Sequence, residues 1–417
     1  MNKFLKSCFV FLLVLVFCSP VVSYSENESF FWEMKTITSS TVKAIEKIYF
    51  RNVTEAEKEE IQQKLGPIIG LLDSINPASE KYSGPIGVER QEFIRKEVEK
   101  ALNKILSSLD KYSRLFNPKQ AKMSDERMHG YAGIGITVTP IGPRGLEIIE
   151  VFPKSPAEEA GLEKDWRIEK INGKPIQGRA LDEVISEIMG PVGSTVSLGV
   201  RKSDGEELIV VVKRAHINVP VLAKKMIKEN IGYIKLRSFE SDKTGENFKE
   251  AIEELESLGM RDLILDLRGN TGGLLNEVDE ILEILLPPAL VQFFLEARGQ
   301  YVPGSCTSAR VPQLFKGKIV VLVDNFSASA SEVVSGALQD HGRALLIGEK
   351  TFGKGVVQVV LTLPGGYKLS LTIQEWFTPL DKKINGKGIE PDVKIVDNPE
   401  TPEDEVIEAA VNLLNIF

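Results

Sequence analysis

The chain has 417 residues, of which 42% are hydrophobic and 26% charged, with a net charge of −8. This is the profile of an acidic globular protein with room for two or three domains. No basic block stands out, which argues against nucleic acid as a partner. No His-Glu-x-x-His or paired-cysteine pattern occurs, so neither a metal site nor a cofactor is expected.

Residues 1–23 read as a removable leader. Lys3 and Lys6 precede an apolar run from Phe9 to Phe17, and Val21-Val22-Ser23 offers a small-residue cleavage site. The run is shorter than the roughly 20 residues of a membrane-spanning helix. Bulky Phe17 disfavours a lipid anchor on Cys18. Cleavage near Ser23 leaves Cys306 as the sole cysteine, hence no internal disulfide, and a periplasmic location is expected.

Residues 24–130 read as helical. Thr54-Glu55-Ala56-Glu57 has the spacing of a capping box. Val98, Leu102, Ile105 and Leu109 recur on one helical face, which suits an ordinary core and, secondarily, a dimerisation arm. From Tyr131 the texture changes to short strands and glycine turns, with Asn172-Gly173 marking a tight hairpin. The order of elements over 131–214 resembles a PDZ domain. Gly133-Ile134-Gly135-Ile136 stands where that family has its carboxylate-binding loop, whose amides hold a peptide terminus while the peptide adds a strand. The chain has Asp165-Trp166 where the family usually has Gly-Asp, so that turn is expected to differ.

Residues 215–397 alternate strand and helix, with Leu263–Leu267 and Ile319–Val323 as buried parallel strands. A C-terminal helix is expected over 398–417. The fold class is therefore multidomain α/β: a helical N-terminal region, a β-rich PDZ-like domain and an α/β core.

Chemistry concentrates in that core. Ser329 lies in Ser327-Ala328-Ser329-Ala330-Ser331-Glu332, where a strand gives way to a helix whose N-terminus favours developing negative charge. The same run is a Ser-x-x-Glu capping box, which alone would explain it. Lys354, between Gly353 and Gly355, is a candidate base if burial lowers its pKa from about 10.4. Gln358 could hold the amine without adding charge. Asp266–Gly273 exposes amides at a helix start, an oxyanion site or simply a tight turn. Lys350 is expected in solvent. Gly348–Lys354 mimics a phosphate-binding loop, but Gly355 replaces the hydroxyl that would meet Mg²⁺. His341, twelve residues past Ser329 and roughly 18 Å away along a helix, is too far to be its partner; His129 and His216 offer no better case.

Together, Asp266–Gly273, Ser327–Glu332 and Thr351–Gln358 behind a PDZ-like module resemble the carboxyl-terminal processing (tail-specific) peptidases. Leu109-Asp110-Lys111-Tyr112-Ser113-Arg114 and Lys387-Gly388-Ile389-Glu390-Pro391-Asp392 add to the likeness, although Lys111 stands where the family usually has proline. The resemblance implies a crotonase-like core with Ser329 as nucleophile, Lys354 as general base and Gln358 orienting it. The amides of Ala330 and of Gly272 or Gly273 would form the oxyanion hole. It also implies protein substrates with apolar C-terminal tails, a homodimer or higher oligomer, and in some members an adaptor. A catalytically inactive PDZ receptor and an acyl-CoA enzyme are the alternatives.

Overall fold

The computed structural model describes residues 26–49, 52–76, 87–139, 145–179, 181–217, 220–297, 300–301, 307–308, 312–397 and 404–416. The expected leader, with Cys18, and Cys306 lie outside the described residues. The chain divides into two compact units, residues 1–121 with 224–417, and residues 122–223. The helical segment thus shares a unit with the α/β part rather than standing alone.

In the first unit, α1 (Glu26–Ile48), α2 (Glu55–Asp73) and α3 (Val88–Leu109) precede β1 (Arg114–Phe116). The Thr54 hydroxyl accepts the Glu57 N–H at 3.3 Å and the Glu57 carboxylate accepts the Thr54 N–H at 2.8 Å, so the capping box starts α2. Val98, Leu102, Ile105 and Leu109 of α3 are buried, in one apolar core with Tyr367, Leu369 and Leu371. That core makes the helices part of the unit's interior.

The helix α4 (Pro118–His129) leads into the second unit. Its elements are β2 (Tyr131–Gly133), β3 (Ile136–Val138), β4 (Leu146–Val151), α5 (Pro156–Glu159), β5 (Arg167–Ile171), β6 (Lys174–Pro175), α6 (Leu181–Ile188), β7 (Thr195–Arg201), β8 (Glu207–Lys213) and β9 (Ala215–Ile217). The antiparallel sheet runs β3-β4-β5-β7-β8, with β3 at an edge. Asn172 and Gly173 both take positive φ, 49° and 78°, as a two-residue hairpin requires. Asp165 also takes positive φ, 68°. Aspartate tolerates this conformation better than most residues, and the Asp165 N–H donates to the Ile148 carbonyl at 2.8 Å. The strand β2 pairs antiparallel with β9, Tyr131 opposite Ile217 and Gly133 opposite Ala215.

The first unit resumes with β10 (Leu222–Lys228), β11 (Ile231–Leu236), α7 (Thr244–Ser257), β12 (Asp262–Asp266), α8 (Leu275–Leu285), β13 (Val291–Ala297), β14 (Gln300–Tyr301) and β15 (Thr307–Ser308). It ends with β16 (Ile319–Val323), α9 (Ala330–Asp340), β17 (Ala344–Gly348), β18 (Val356–Thr362), β19 (Lys368–Phe377), β20 (Val393–Lys394) and α10 (Glu405–Ile416). One sheet runs β10-β11-β12-β16-β17-β20, parallel from β11 to β20. The middle of β12 (Leu263–Leu265) and all of β16 (Ile319–Val323) are apolar and buried, as strands covered on both faces are. A second sheet joins β1, β13 and β18 to β19, so the helical region contributes a strand to it.

Candidate active site

Three neighbouring parallel strands, β12, β16 and β17, end along one edge of the sheet, where such folds gather their functional loops. Each leads into a segment singled out above: Asp266–Gly273, the serine run and the Lys354 loop.

Ser329 has φ 55° and ψ −116°, a conformation that costs a non-glycine residue on the order of 1–3 kcal/mol. Sharp strand-to-helix turns of this kind present a nucleophile. The flanking serines hold the turn. The Ser327 hydroxyl donates to the Leu267 carbonyl at 2.8 Å and the Ser331 hydroxyl to the Asn270 carbonyl at 2.9 Å. Both are fully buried, whereas Ser329 is partly exposed, which singles out the middle serine.

Buried Asn270 organises the glycine loop. Its side-chain amide donates to the Leu236 carbonyl at 2.8 Å, and its side-chain oxygen accepts the Gly272 N–H at 2.9 Å. Gly272 therefore departs from its expected role as an oxyanion donor, because its amide is already engaged. Its contribution is clearance: a Cβ there, at φ 101°, would lie 2.8 Å from the Ser329 Cβ and 2.9 Å from the Ala330 nitrogen. Among the described residues, the amides of Gly273 and Ala330 have no protein acceptor.

The residue that sequence reasoning placed only in a capping box proves central. Glu332 is fully buried. One carboxylate oxygen accepts the Ser329 N–H (2.9 Å) and the Lys354 N–H (2.8 Å); the other accepts the Thr351 hydroxyl (2.5 Å) and the Gly353 N–H (2.7 Å). The Glu332 half of the capping box is formed, while the Glu332 N–H donates to the Ser329 carbonyl at 2.8 Å rather than to its hydroxyl, and the same carboxylate also stitches the serine turn to the lysine loop. Burial pushes its carboxyl up from the usual range, against the Thr351 hydroxyl and the amides of Gly353, Lys354 and Ser329, which favour the charged form. The signal available in the sequence was a glutamate on a helix whose neighbours are all small or apolar.

Glycines let the lysine loop pass. Cβ atoms at Gly353 and Gly355 would meet the backbone of Gly388 at 2.9 Å and of Asn385 at 2.3 Å. The Ile389 N–H donates to the Thr351 hydroxyl at 2.7 Å, so the Lys387–Asp392 motif braces the loop. Lys354 is partly buried. Burial pushes its ammonium below the ordinary lysine range, helped by the Arg114 charge and opposed by Asp110, Glu240 and Glu332. The Gln358 amide nitrogen donates to the Tyr112 carbonyl and to the Ser370 hydroxyl, both at 2.9 Å. A carbonyl can only accept, so the amide nitrogen is fixed on that side and the Gln358 oxygen faces elsewhere.

Other readings lose support on geometry. The Gly353 and Lys354 amides that would cradle a phosphate are given to Glu332. Lys350 pairs with Glu390 at 2.9 Å, both half exposed. The His341 ring is taken up by the Val291 carbonyl at 2.6 Å.

In the second unit, the Ala157 N–H donates to the Ile134 carbonyl (2.9 Å) and the Phe152 N–H to the Gly135 carbonyl (3.0 Å). In the antiparallel register of Ile136 with Val151, this turns the N–H of Ile136 to the open edge of β3. Among the described residues, the amides of Ile134 and Gly135 meet no protein acceptor. Gly133 closes β2 against Ala215.

The sequence model of Peptidase family S41 matches residues 230–395, and that of the PDZ domain residues 122–201. A carboxyl-terminal-processing protease of Picosynechococcus is 36% identical over 324 residues, covering 74% of this chain and 77% of that protein. The chain belongs to peptidase family S41. It is a serine peptidase of the carboxyl-terminal processing group and carries a PDZ domain. A Staphylococcus aureus protein described as "Probable CtpA-like serine protease" is 37% identical over 293 residues, and the match spans 70% of this chain but 58% of that protein. Two solved structures share the fold. The photosystem II D1 C-terminal processing protease aligns with a TM-score of 0.50 at 22% identity, over 94% of this chain and 98% of that one. An S41 protease structure from Bacteroides fragilis aligns with a TM-score of 0.60 at 18% identity, over 90% and 97%. The multidomain α/β reading and the family resemblance both hold.

Proposed function

We propose that this S41 peptidase trims or degrades exported proteins from the C-terminal side with a Ser329–Lys354 dyad. The observation that carries the proposal is the Glu332 carboxylate, one oxygen of which binds both the Ser329 and the Lys354 amides. The neutral Lys354 amine takes the Ser329 hydroxyl proton as the oxygen attacks the scissile carbonyl. The oxyanion forms against the Gly273 and Ala330 amides. The proton passes to the leaving amine, and the acyl-enzyme is then hydrolysed by water that Lys354 deprotonates. With its nitrogen held by Tyr112 and Ser370, Gln358 offers its oxygen to the Lys354 amine.

The PDZ domain supplies tail recognition. A terminal carboxylate meets the Ile134, Gly135 and Ile136 amides, and an apolar tail extends the β3 edge. The leader-like residues 1–23 support export, with the periplasm as the destination, and assembly as a dimer or higher oligomer, with or without an adaptor, accompanies this reading. The test is cleavage of an unfolded protein with an apolar C-terminus by wild type, Ser329→Ala and Lys354→Ala. Cleavage by wild type alone is expected; undiminished cleavage by either variant refutes the dyad.

A further inference from the structure

The loop that closes the helical region reaches the catalytic lysine, although it lies outside both matched regions, 122–201 and 230–395. Tyr112 makes three contacts there. Its ring lies under the Lys354 ammonium, 5.4 Å from Nζ to the ring centroid. Its hydroxyl donates to the Gly353 carbonyl at 3.4 Å, and its carbonyl accepts the Gln358 amide at 2.9 Å. The loop is rigidly built. One Asp110 carboxylate oxygen accepts the Tyr112 N–H (2.7 Å) and the Ser113 N–H (2.8 Å); the other accepts the Ser113 hydroxyl (2.6 Å) and the Tyr49 hydroxyl (3.0 Å). Thr372 of β19 donates its N–H to the Ser113 hydroxyl at 3.0 Å. The loop is therefore anchored to the end of α1 and to the sheet that carries Gln358.

We propose that Tyr112 is a positioning residue for the Lys354 base, walling its amine from water with the ring and fixing Gln358 with the carbonyl. The helical region then supplies part of the active site, an inference that rests on the Ser329–Lys354 reading. The ring has two opposed effects. It excludes water, which disfavours the ammonium, and burial is the largest influence on Lys354. The ring also attracts the cation, an effect worth from about half a pH unit at an exposed site to about 1.5 pH units in a desolvated one. Exclusion wins, and the two can be separated by substitution. The other charges acting on Lys354 are Arg114, which favours the neutral amine, and Asp110, Glu240 and Glu332, which favour the ammonium. Lys111 shares the Tyr112 ring at 4.9 Å and also lies over Phe352.

The experiment compares Tyr112→Ala, Tyr112→Leu and Tyr112→Phe in the full chain, recording melting temperature, kcat, KM and the pH profile of kcat/KM on an unfolded protein substrate. Tyr112→Ala admits water, so its acid limb should move to higher pH and its kcat at neutral pH should fall about 10- to 100-fold with KM little changed. Tyr112→Leu keeps water out but removes the π face that attracts the ammonium, so its limb should move to lower pH. Tyr112→Phe should remain within about threefold of wild type, since only the long hydroxyl contact is lost. A wild-type profile in both Tyr112→Ala and Tyr112→Leu overturns the proposal, as does a loss of kcat with no movement of the limb. If Tyr112→Ala does not fold, a downward limb of Tyr112→Leu with retained activity supports the proposal, and an unchanged or upward limb overturns it. Lys354→Ala serves as the control: if it keeps wild-type activity, the dyad reading has failed, whatever Tyr112 does.

Discussion

The serine turn and the PDZ loop are both glycine-rich bends with unengaged amides, yet they are built in opposite ways. Around Ser329 the backbone is locked by buried side chains, chiefly Glu332 and Asn270, and among the described residues the amides of Gly273 and Ala330 have no protein acceptor, which suits the oxyanion role proposed for them. Around Gly135 the carbonyls of Ile134 and Gly135 are held by the Ala157 and Phe152 amides, and among the described residues their own amides meet no protein acceptor just before the edge strand β3. The first arrangement suits a transition state, where misplacement by about 1 Å can cost on the order of 100-fold. The second suits a range of peptides that bring their own backbone hydrogen bonds. Each of the following tests probes that contrast.

The largest effect should come from the lysine. Lys354→Met should lower kcat by on the order of 10³-fold or more. Because folding depresses the Lys354 pKa, the unfolded chain binds more protons between the folded and unfolded values, and wild-type stability rises with pH across that window. Lys354→Met removes this cost, so its melting temperature at neutral pH should exceed wild type by a few degrees. Calorimetry beside the activity assay checks both signs; a less stable variant would contradict the account.

Glu332→Gln comes next. An amide can replace only one of the two accepting oxygens, so either the Ser329–Lys354 pair or the Thr351–Gly353 pair loses its acceptor. Steady-state kinetics should show kcat down about 100-fold. The acid limb should shift to lower pH, because the Glu332 charge favours the Lys354 ammonium. Unchanged kcat would mean that the two loops hold each other without the carboxylate.

The PDZ side can be tested on the substrate, leaving the enzyme intact. Amidating the C-terminus of a tailed substrate removes charge-assisted bonds worth about 1.5–3 kcal/mol, so KM should rise roughly 10- to 100-fold with kcat retained. Equal KM for both forms would sever tail recognition from the carboxylate.

How much of this was legible in the sequence depends on the range of the interaction. Ser329, Lys354 and the glycine loops show because close backbone approach demands small residues, and those are local signals. Glu332 was legible only as a capping residue: its second role depends on Thr351, Gly353 and Lys354, which reach it through the β17 crossover. Asp110–Tyr112 meets Gly353 and Gln358 across more than half the chain, a contact that no periodicity encodes. Gln358 lies just after a register shift between Val357 and Gln358, so counting four residues from Lys354 could not fix which way it faces. The Gly272 amide, read as a donor, is taken by Asn270 two residues earlier, a side-chain turn that asparagine favours.

The smallest effect should come from the C-terminal helix. Arg268 joins buried Asp266 at 2.7 Å and partly exposed Asp404 at 2.8 Å, anchoring the start of α10 to the glycine loop. Asp404→Asn should cost about 1 kcal/mol or less, as partly exposed pairs do, visible as a small fall in melting temperature with activity within about twofold.

The central claim is that a neutral Lys354 activates Ser329, and the most direct measurement is the rate at which a fluorophosphonate probe labels the enzyme as pH is varied, with the modified residue located by mass spectrometry in wild type and Lys354→Ala. The account predicts labelling of Ser329 alone, rising through one acid limb below the ordinary lysine value of about 10.4 and lost in Lys354→Ala. Labelling of Ser329 in Lys354→Ala at the wild-type rate, or labelling of another residue in its place, would contradict it.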